Sequence, residues 1–316
     1  NLGSFHIATF EEACARWIKE KADKKTLRDD KSRIAFWMES FAGKTLDEIT
    51  EDKIYNAIEN MTNRRHAENI KNRIAATKLA KLPSPLFIPR KVATATKNTH
   101  LAFLKAMLRK AFFEWKWITN VPYIRLYPVK NNRVRWLLPR EAQRLIEVCN
   151  EPLKSVVEFA LATGLRRSNI INLEWKQVDL ARRVAWITAE NAKTGKAIGI
   201  ALNKTACSIL ERQKGNHPCW VFVHTKAKPK PNGEMTPSVR RMRVDDNNGW
   251  RLALARAGIE DFRFHDLRHT WASWLVQAGV PLFVLQEMGG WESLEMVKRY
   301  AHLSPTHLAE YACRLD

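Results

Sequence analysis

His265-Asp266-Leu267-Arg268-His269 is the stretch from which the fold and chemistry of this 316-residue chain can be read. Tyr300, within Lys298-Arg299-Tyr300-Ala301-His302, follows His269 by 31 residues. Upstream, Thr163-Gly164-Leu165-Arg166-Arg167-Ser168 supplies another arginine just after a glycine expected to end a helix. A guanidinium fork suits the paired oxygens of a phosphate, a phenol can serve as a nucleophile, and an imidazole can move its proton. A histidine, two arginines and a tyrosine on one basic chain point to chemistry at a phosphodiester.

The charge agrees with that reading. Lys and Arg number 53 against 33 Asp and Glu, giving a net charge of +20 and a pI near 9.9. Such a surplus calls for a polyanionic partner, nucleic acid first. The positive charge is spread along the chain rather than gathered on one amphipathic helix, which argues against a membrane-surface protein. No apolar run approaches the ~18 residues a spanning helix needs. Residues Asn1 to Phe10 lack the basic-then-apolar pattern of a secretory signal. Five cysteines, an odd number with no Cys-x-x-Cys, fit neither a zinc knuckle nor a disulfide framework. The expected location is the cytoplasm, in association with the nucleoid.

Length allows two domains, each with its own core. Residues 9–130 read as mostly helical. Thr9 with Glu12 forms a capping-box pattern, and Phe10, Ala13, Cys14, Trp17 and Ile18 recur at helical spacing. Further helices are expected over 26–41, 46–58 and from Leu101 to Trp117, with 64–80 basic and helix-compatible. Three prolines make 82–90 a loop. The pattern breaks between Pro122 and Trp136, where Lys130, Arg133 and Arg135 cluster. The expected division is therefore a helical core-type DNA-binding domain over 1–127, a basic linker over 128–136 and a catalytic domain over 137–316. In the last, helices are expected from Pro139 to Cys149 and from Pro152 to Thr163, with Gly164 as the stop. Residues 183–188 and 197–202 alternate as strands around a turn that pivots on Gly195. Residues 220–223 form another short strand, and Lys226 to Gly233 a Lys/Pro-rich loop. Helices return at 249–257, 266–278, 281–288 and around Tyr300. The expected class is thus an all-α N-terminal domain plus a mixed α+β, mainly helical C-terminal domain with a small antiparallel sheet.

Ala162-Thr163-Gly164-Leu165-Arg166, His265-Asp266-Leu267-Arg268-His269-Thr270 and Gly290-Trp291-Glu292-Ser293 followed by Arg299-Tyr300 resemble the motifs of the tyrosine recombinase (phage integrase) family. The resemblance covers nearly the whole chain. It implies a site-specific recombinase that cleaves and rejoins DNA through a 3′-phosphotyrosyl intermediate, integrating or excising a phage or other mobile element. Its implied catalytic residues are Arg166, Lys193, His265, Arg268, Trp291 and Tyr300, with Tyr300 as nucleophile. The motif places the arginine directly after Gly164-Leu165, which selects Arg166 over Arg167. The family carries a lysine on the β-hairpin as general acid for the leaving 5′-oxygen; Lys193 takes that role, with Lys196 as the competitor. His265 is read as the phosphate-bonding proton-transfer group, and His269 as a packing residue or one that supports the groups touching the phosphate. Trp291 stands where a histidine is commoner, and its indole N–H can donate one hydrogen bond. Asn169 replaces a usual acidic residue.

No cofactor and no metal are expected. His265 and His269 stand one helical turn apart, but the Glu of His-Glu-x-x-His and a third ligand are missing. The implied partners are double-stranded DNA, further copies of the chain in a DNA-dependent tetramer, and accessory DNA-bending proteins. The alternatives are a type IB topoisomerase, a catalytically weak DNA-binding homologue, or a metal-dependent nuclease lacking an evident carboxylate cluster.

Overall fold

The computed structural model describes residues 7–62, 68, 91–129, 135–191, 195, 197–229, 235–244, 249–303 and 313. The chain divides into two compact units, residues 1–131 and 132–316. In the first unit, α1 (Phe10–Glu20) opens on the expected capping box: Thr9 Oγ1 accepts from Glu12 N, and the Glu12 carboxylate accepts from Thr9 N at 2.8 Å. Its buried side chains Phe10, Ala13, Cys14 and Trp17 lie along one stripe. α2 (Leu27–Phe41) and α4 (Thr94–Phe113) close the core, with Trp37 stacked on Phe41 at 5.4 Å and Leu101, Leu104, Met107 and Leu108 fully enclosed. Asp30, a buried carboxylate, is satisfied by Lys24 at 2.7 Å, Arg33 at 2.8 Å and the Trp17 indole at 3.1 Å, tying α1 to α2.

The single helix expected over 46–58 is two elements. Leu46–Glu48 is one 3-10 turn, and α3 (Glu51–Glu59) starts afresh after Thr50. Thr50 is extended (φ −87°, ψ 162°), the N-cap conformation that ends one element and begins the next. Beyond α4 the chain is strapped back on the unit: Asn98 exchanges two 2.8 Å hydrogen bonds with the Tyr127 backbone, and the Tyr55 hydroxyl exchanges two more with Arg125. The basic stretch 64–80, apart from residue 68, the proline loop 82–90 and residues 130–134 of the expected linker lie outside the described residues.

The second unit is built around α6 (Leu153–Thr163), which packs against α8 (Lys204–Gln213) and α10 (Asp266–Gln277). Val156, Val157, Phe159 and Ala160 are buried, and Phe159 meets Phe222 at 5.2 Å. α5 (Pro139–Val148) starts with Pro139 in its first turn, and α9 (Gly249–Arg256) packs against it. A three-stranded antiparallel sheet runs β1 (Val178–Asp179), β2 (Val184–Ile187), β3 (Ile198–Ala201), with Ala185 opposite Ile200. The Lys/Pro-rich loop is a correction. Strand β4 starts at Val223, so the strand expected over 220–223 is reduced there to an isolated Trp220–Glu174 bridge, and β4 runs on to Pro229 and pairs with β5 (Met235–Arg241) as a two-stranded ribbon. Each strand of such a ribbon has one unpaired edge, so a proline that lacks an N–H is tolerated there. Residues 230–234 lie outside the described residues.

α7 (Arg167–Ile171), α11 (Leu282–Gly289) and α12 (Glu295–Lys298) are short, and a 3-10 turn, Ala301–Leu303, follows Tyr300. Tyr300 joins Trp271, Ala272, Val276, Leu285 and Val297 in a small apolar cluster of its own. The fold is mainly helical with small antiparallel sheets, as the sequence leads one to expect. No helix among the described residues is long and apolar enough to cross a membrane.

Candidate active site

Two glycine-bearing turns and one buried arginine make the site. Gly164 ends α6 in the left-handed region (φ +62°), and a Cβ there would lie 2.2 Å from the Trp271 ring. The turn therefore needs glycine both for its backbone and for the close approach of α10. Gly289-Gly290 ends α11 in the same way, Gly290 having φ +60°. A Cβ on Gly289 would meet Trp291 at 1.9 Å. Trp291 is thereby folded back over the helix end.

Arg268, on the first turn of α10, bridges the two turns. Its Nη1 donates to Gly164 O at 2.8 Å and its Nη2 to Gly289 O at 2.6 Å. A guanidinium carries five N–H donors, so three remain for a ligand. The group is 4% exposed and its Cζ lies 4.0 Å from the centroid of the Trp291 ring. Burial, and then the neighbouring Arg166, push Arg268 down to about 9, so its charge is held at a cost an anion would relieve.

Arg166 is the first residue beyond the Gly164-Leu165 turn and the N-cap of α7. Its Nη1 is buried without a hydrogen-bond partner. Burial lowers its pKa, against the opposing pull of Glu292. Arg167 points elsewhere: it is exposed and donates to Val244 O at 3.2 Å. Arg166 is the arginine whose charge reaches Arg268.

Tyr300 is 1% exposed, enclosed by the apolar cluster and 6.1 Å from the Trp291 ring. Burial pushes its phenol up to about 12, with Arg268 and Arg299 pulling the other way and Asp266 adding to the rise. Its hydroxyl lies 2.5 Å from His269 Nδ1. His265, the N-cap of α10, is exposed and stands edge-on to His269 at 5.3 Å. α10 itself is clamped to the chain before α5: Leu137 N donates to Thr270 Oγ1 at 3.1 Å, and Trp274 Nε1 donates to Leu137 O at 3.0 Å.

The structure therefore gathers Arg166, Arg268, Trp291 and Tyr300, with His265 one ring removed from the phenol. Lys193 and its competitor Lys196 lie outside the described residues; Gly195 between them has φ +69°. Trp291 presents its ring to Arg268, Trp271 and Tyr300. Asn169 is buried, its Oδ1 3.5 Å from Ser168 Oγ. His269, expected to pack or to support the groups that touch the ligand, has its Nδ1 against the Tyr300 hydroxyl. Helical spacing puts residues 265 and 269 on one face but does not bring that face to the Tyr300 hydroxyl. Among the described residues, no group of three or more His, Cys, Asp or Glu is placed to hold a metal. What the arrangement can do is bind a tetrahedral oxyanion between two guanidinium groups, with a phenol alongside; hydrogen bonds to charged groups contribute ~1.5–3 kcal/mol each.

An arginine pair, an indole and a tyrosine on this fold define a tyrosine recombinase, and known proteins agree. Residues 135–307 match the phage integrase family. The chain is 61% identical over 315 residues to the integrase of Salmonella phage P22, covering 100% of this chain and 81% of that protein. It is 30% identical over 224 residues to the shufflon-specific DNA recombinase of Escherichia coli, covering 68% of this chain but 53% of that protein. Among solved structures, the Tn1549 transposon integrase in complex with a circular intermediate DNA superposes with a TM-score of 0.67 at 16% identity, over 97% and 99% of the two chains. A lambda integrase dimer bound to a core site gives 0.63 at 18% identity, over 93% of this chain and 77% of that one. These two share the fold. The chain belongs to the phage integrase family, and it is a site-specific recombinase that cleaves and rejoins DNA strands.

Proposed function

We propose that Tyr300 attacks a scissile phosphate held by Arg166 and Arg268. The Oη–P bond forms as the P–O5′ bond breaks, leaving a 3′-phosphotyrosyl link and a free 5′-hydroxyl. A 5′-hydroxyl from a partner strand then reverses the step, so the energy of the phosphodiester is kept and no nucleotide is consumed. Lys193, or Lys196 across the same turn, protonates the leaving oxygen. His265, exposed at the N-terminus of α10, meets the phosphate, and the Trp291 indole N–H adds a donor. The observation that carries this reading is the Arg166 Nη1, buried and unpartnered, beside an Arg268 with three N–H groups to spare. Buried donors are nearly always paired, so a missing acceptor is expected there.

Residues 1–127 serve as the helical DNA-binding domain and 137–316 as the catalytic domain, with the basic segment 128–136 crossing the phosphate backbone between them. Double-stranded DNA is the substrate. Two exchanges require four protomers on two sites, aided by accessory DNA-bending proteins, in the cytoplasm and on the nucleoid. The element moved is a phage or another mobile DNA, by integration or excision.

The test is a substrate nicked beside the scissile phosphate, which traps covalent protein–DNA as a slow band. Tyr300→Phe loses that band and still shifts the DNA, because only the nucleophilic oxygen is removed. Tyr311→Phe, outside the motif, keeps it. The reverse pattern would move the nucleophile elsewhere. With intact partner sites, recombinant junctions rather than relaxed circles separate this activity from that of a topoisomerase.

A further inference from the structure

The partner of the nucleophilic oxygen is a residue outside the set that the motifs single out. We propose that His269 takes the phenolic proton of Tyr300 as its oxygen attacks the phosphate, and returns it when the phosphotyrosyl link is resolved. The inference rests on the reading of Tyr300 as the nucleophile. His269 Nδ1 lies 2.5 Å from Tyr300 Oη, and the two rings are 5.8 Å apart at 48°. The rest of the phenol is walled in by apolar side chains, Trp271, Leu285 and Val297 among them. The competing base, His265, is exposed and touches the ring of His269. His269 is the imidazole that meets the phenol, and on the reading proposed above His265 is left to the phosphate.

The chemistry balances with these groups. The step uses the neutral imidazole with its proton on Nε2, the form in which Nδ1 accepts from the phenol. As the Oη–P bond forms and the P–O5′ bond breaks, the phenolic proton passes to Nδ1 and the imidazole becomes cationic. The leaving O5′ draws its proton from the separate lysine acid proposed above. In the return step a 5′-hydroxyl attacks, the Oη–P bond breaks, and Oη recovers its proton from Nδ1. A buried phenol needs such an acceptor, because burial disfavours a free phenolate.

The groups around the pair decide how it titrates. His265, Asp266 and Arg268 share α10 with His269, and Arg299 precedes Tyr300. Arg166 and Glu292 come from the turns before α7 and after α11. Arg166, Arg268 and Arg299 outnumber Asp266 and Glu292 among these groups, and that surplus of positive charge favours the phenolate once the proton has moved.

The experiment measures single-turnover covalent attachment of the full chain to the nicked substrate across the imidazole titration range. His269→Asn keeps an acceptor near Nδ1 and cannot carry the proton. It should bind DNA normally, react ~10²-fold or more slowly at neutral pH, and lose the rise of rate with pH. His265→Asn should keep that rise. Replacing the bridging O5′ by sulfur, which leaves without a proton, should not restore His269→Asn. A His269→Asn chain as fast as the parent with the same pH profile, or one rescued by sulfur, would overturn the proposal. If the variant fails to shift DNA, the unmodified chain decides: with the sulfur substrate its rate must still rise with pH, and a flat profile overturns the assignment. A covalent band from Tyr300→Phe would instead remove the nucleophile itself. An inert Tyr300→Phe beside an unimpaired His269→Asn removes only this inference.

Discussion

Arg268 does three things that no other cation can do at once. It bonds the carbonyls of two turns, lies on an indole, and has three further N–H donors beyond those two bonds. A lysine places one nitrogen where the guanidinium places three, so it cannot reach both Gly164 O and Gly289 O and also a ligand. Arg268→Lys should therefore lower the cleavage rate on the order of 10²- to 10³-fold, the usual cost of losing a preorganised donor to developing charge, while DNA binding changes little. A single-turnover assay beside a gel shift checks this; an unaltered rate would mean that Arg268 is only structural. Tyr300 makes a prediction in alkali. An unfolded phenol ionises near 10, whereas the buried one holds its proton to about 12. Below 10 both states are protonated and the group is neutral to stability. Between 10 and 12 only the unfolded chain loses the proton, so stability falls with rising pH, by about 1.4 kcal/mol per unit. Tyr300→Phe should flatten that part of the alkaline unfolding curve. The kinds of residue at the site, and their spacing, were legible in the sequence. The contact between His269 and the phenol was not, because it depends on how a segment 31 residues away folds back over α10.

Among the elements, α6 and α10 set the geometry, and Gly164 is where they meet. Alanine there would have to adopt φ +62° and place its Cβ 2.2 Å from Trp271. The left-handed backbone costs roughly 1–2 kcal/mol and overpacking a further 1–3 kcal/mol. Gly258 in the same unit has φ +64° with nothing within 4 Å of a Cβ, so Gly258→Ala should show the backbone cost alone. Thermal unfolding of the two variants isolates the contact with Trp271, and equal losses would refute it. The element pattern was readable wherever local chemistry decides: the Thr9 capping box, Pro139 in the first turn of α5, and the glycine at the end of α6. It failed where pairing with a distant segment decides. The β4–β5 ribbon is held by its cross-strand ladder, and its lysines and prolines resemble a loop when read singly. Thr50 divides the expected helix through its extended backbone, although its side chain makes no cap hydrogen bond.

For the whole molecule the decisive quantity is its surplus of positive charge, +20 over 316 residues. Each phosphate neutralised by Lys or Arg releases condensed counterions, so affinity for DNA should fall steeply with salt. With six or more phosphate contacts the loss is on the order of 10³-fold between 50 and 200 mM. Equilibrium binding across that range checks it, and a near-constant affinity would contradict a backbone-tracking protein. The sequence alone determined the polyanionic partner, the two-part division of fold classes and the phosphate chemistry, because charge, hydrophobic period and motif spacing are local or additive properties. Tertiary structure alone decided which groups meet. Arg166 is left with an unpartnered donor, Arg268 spans two glycine turns, and Tyr300 is buried against His269 because segments far apart in the chain pack around one small apolar cluster. Burial and partnership are properties of that packing, and they raise the phenol and lower the guanidinium from values that the residues would otherwise keep.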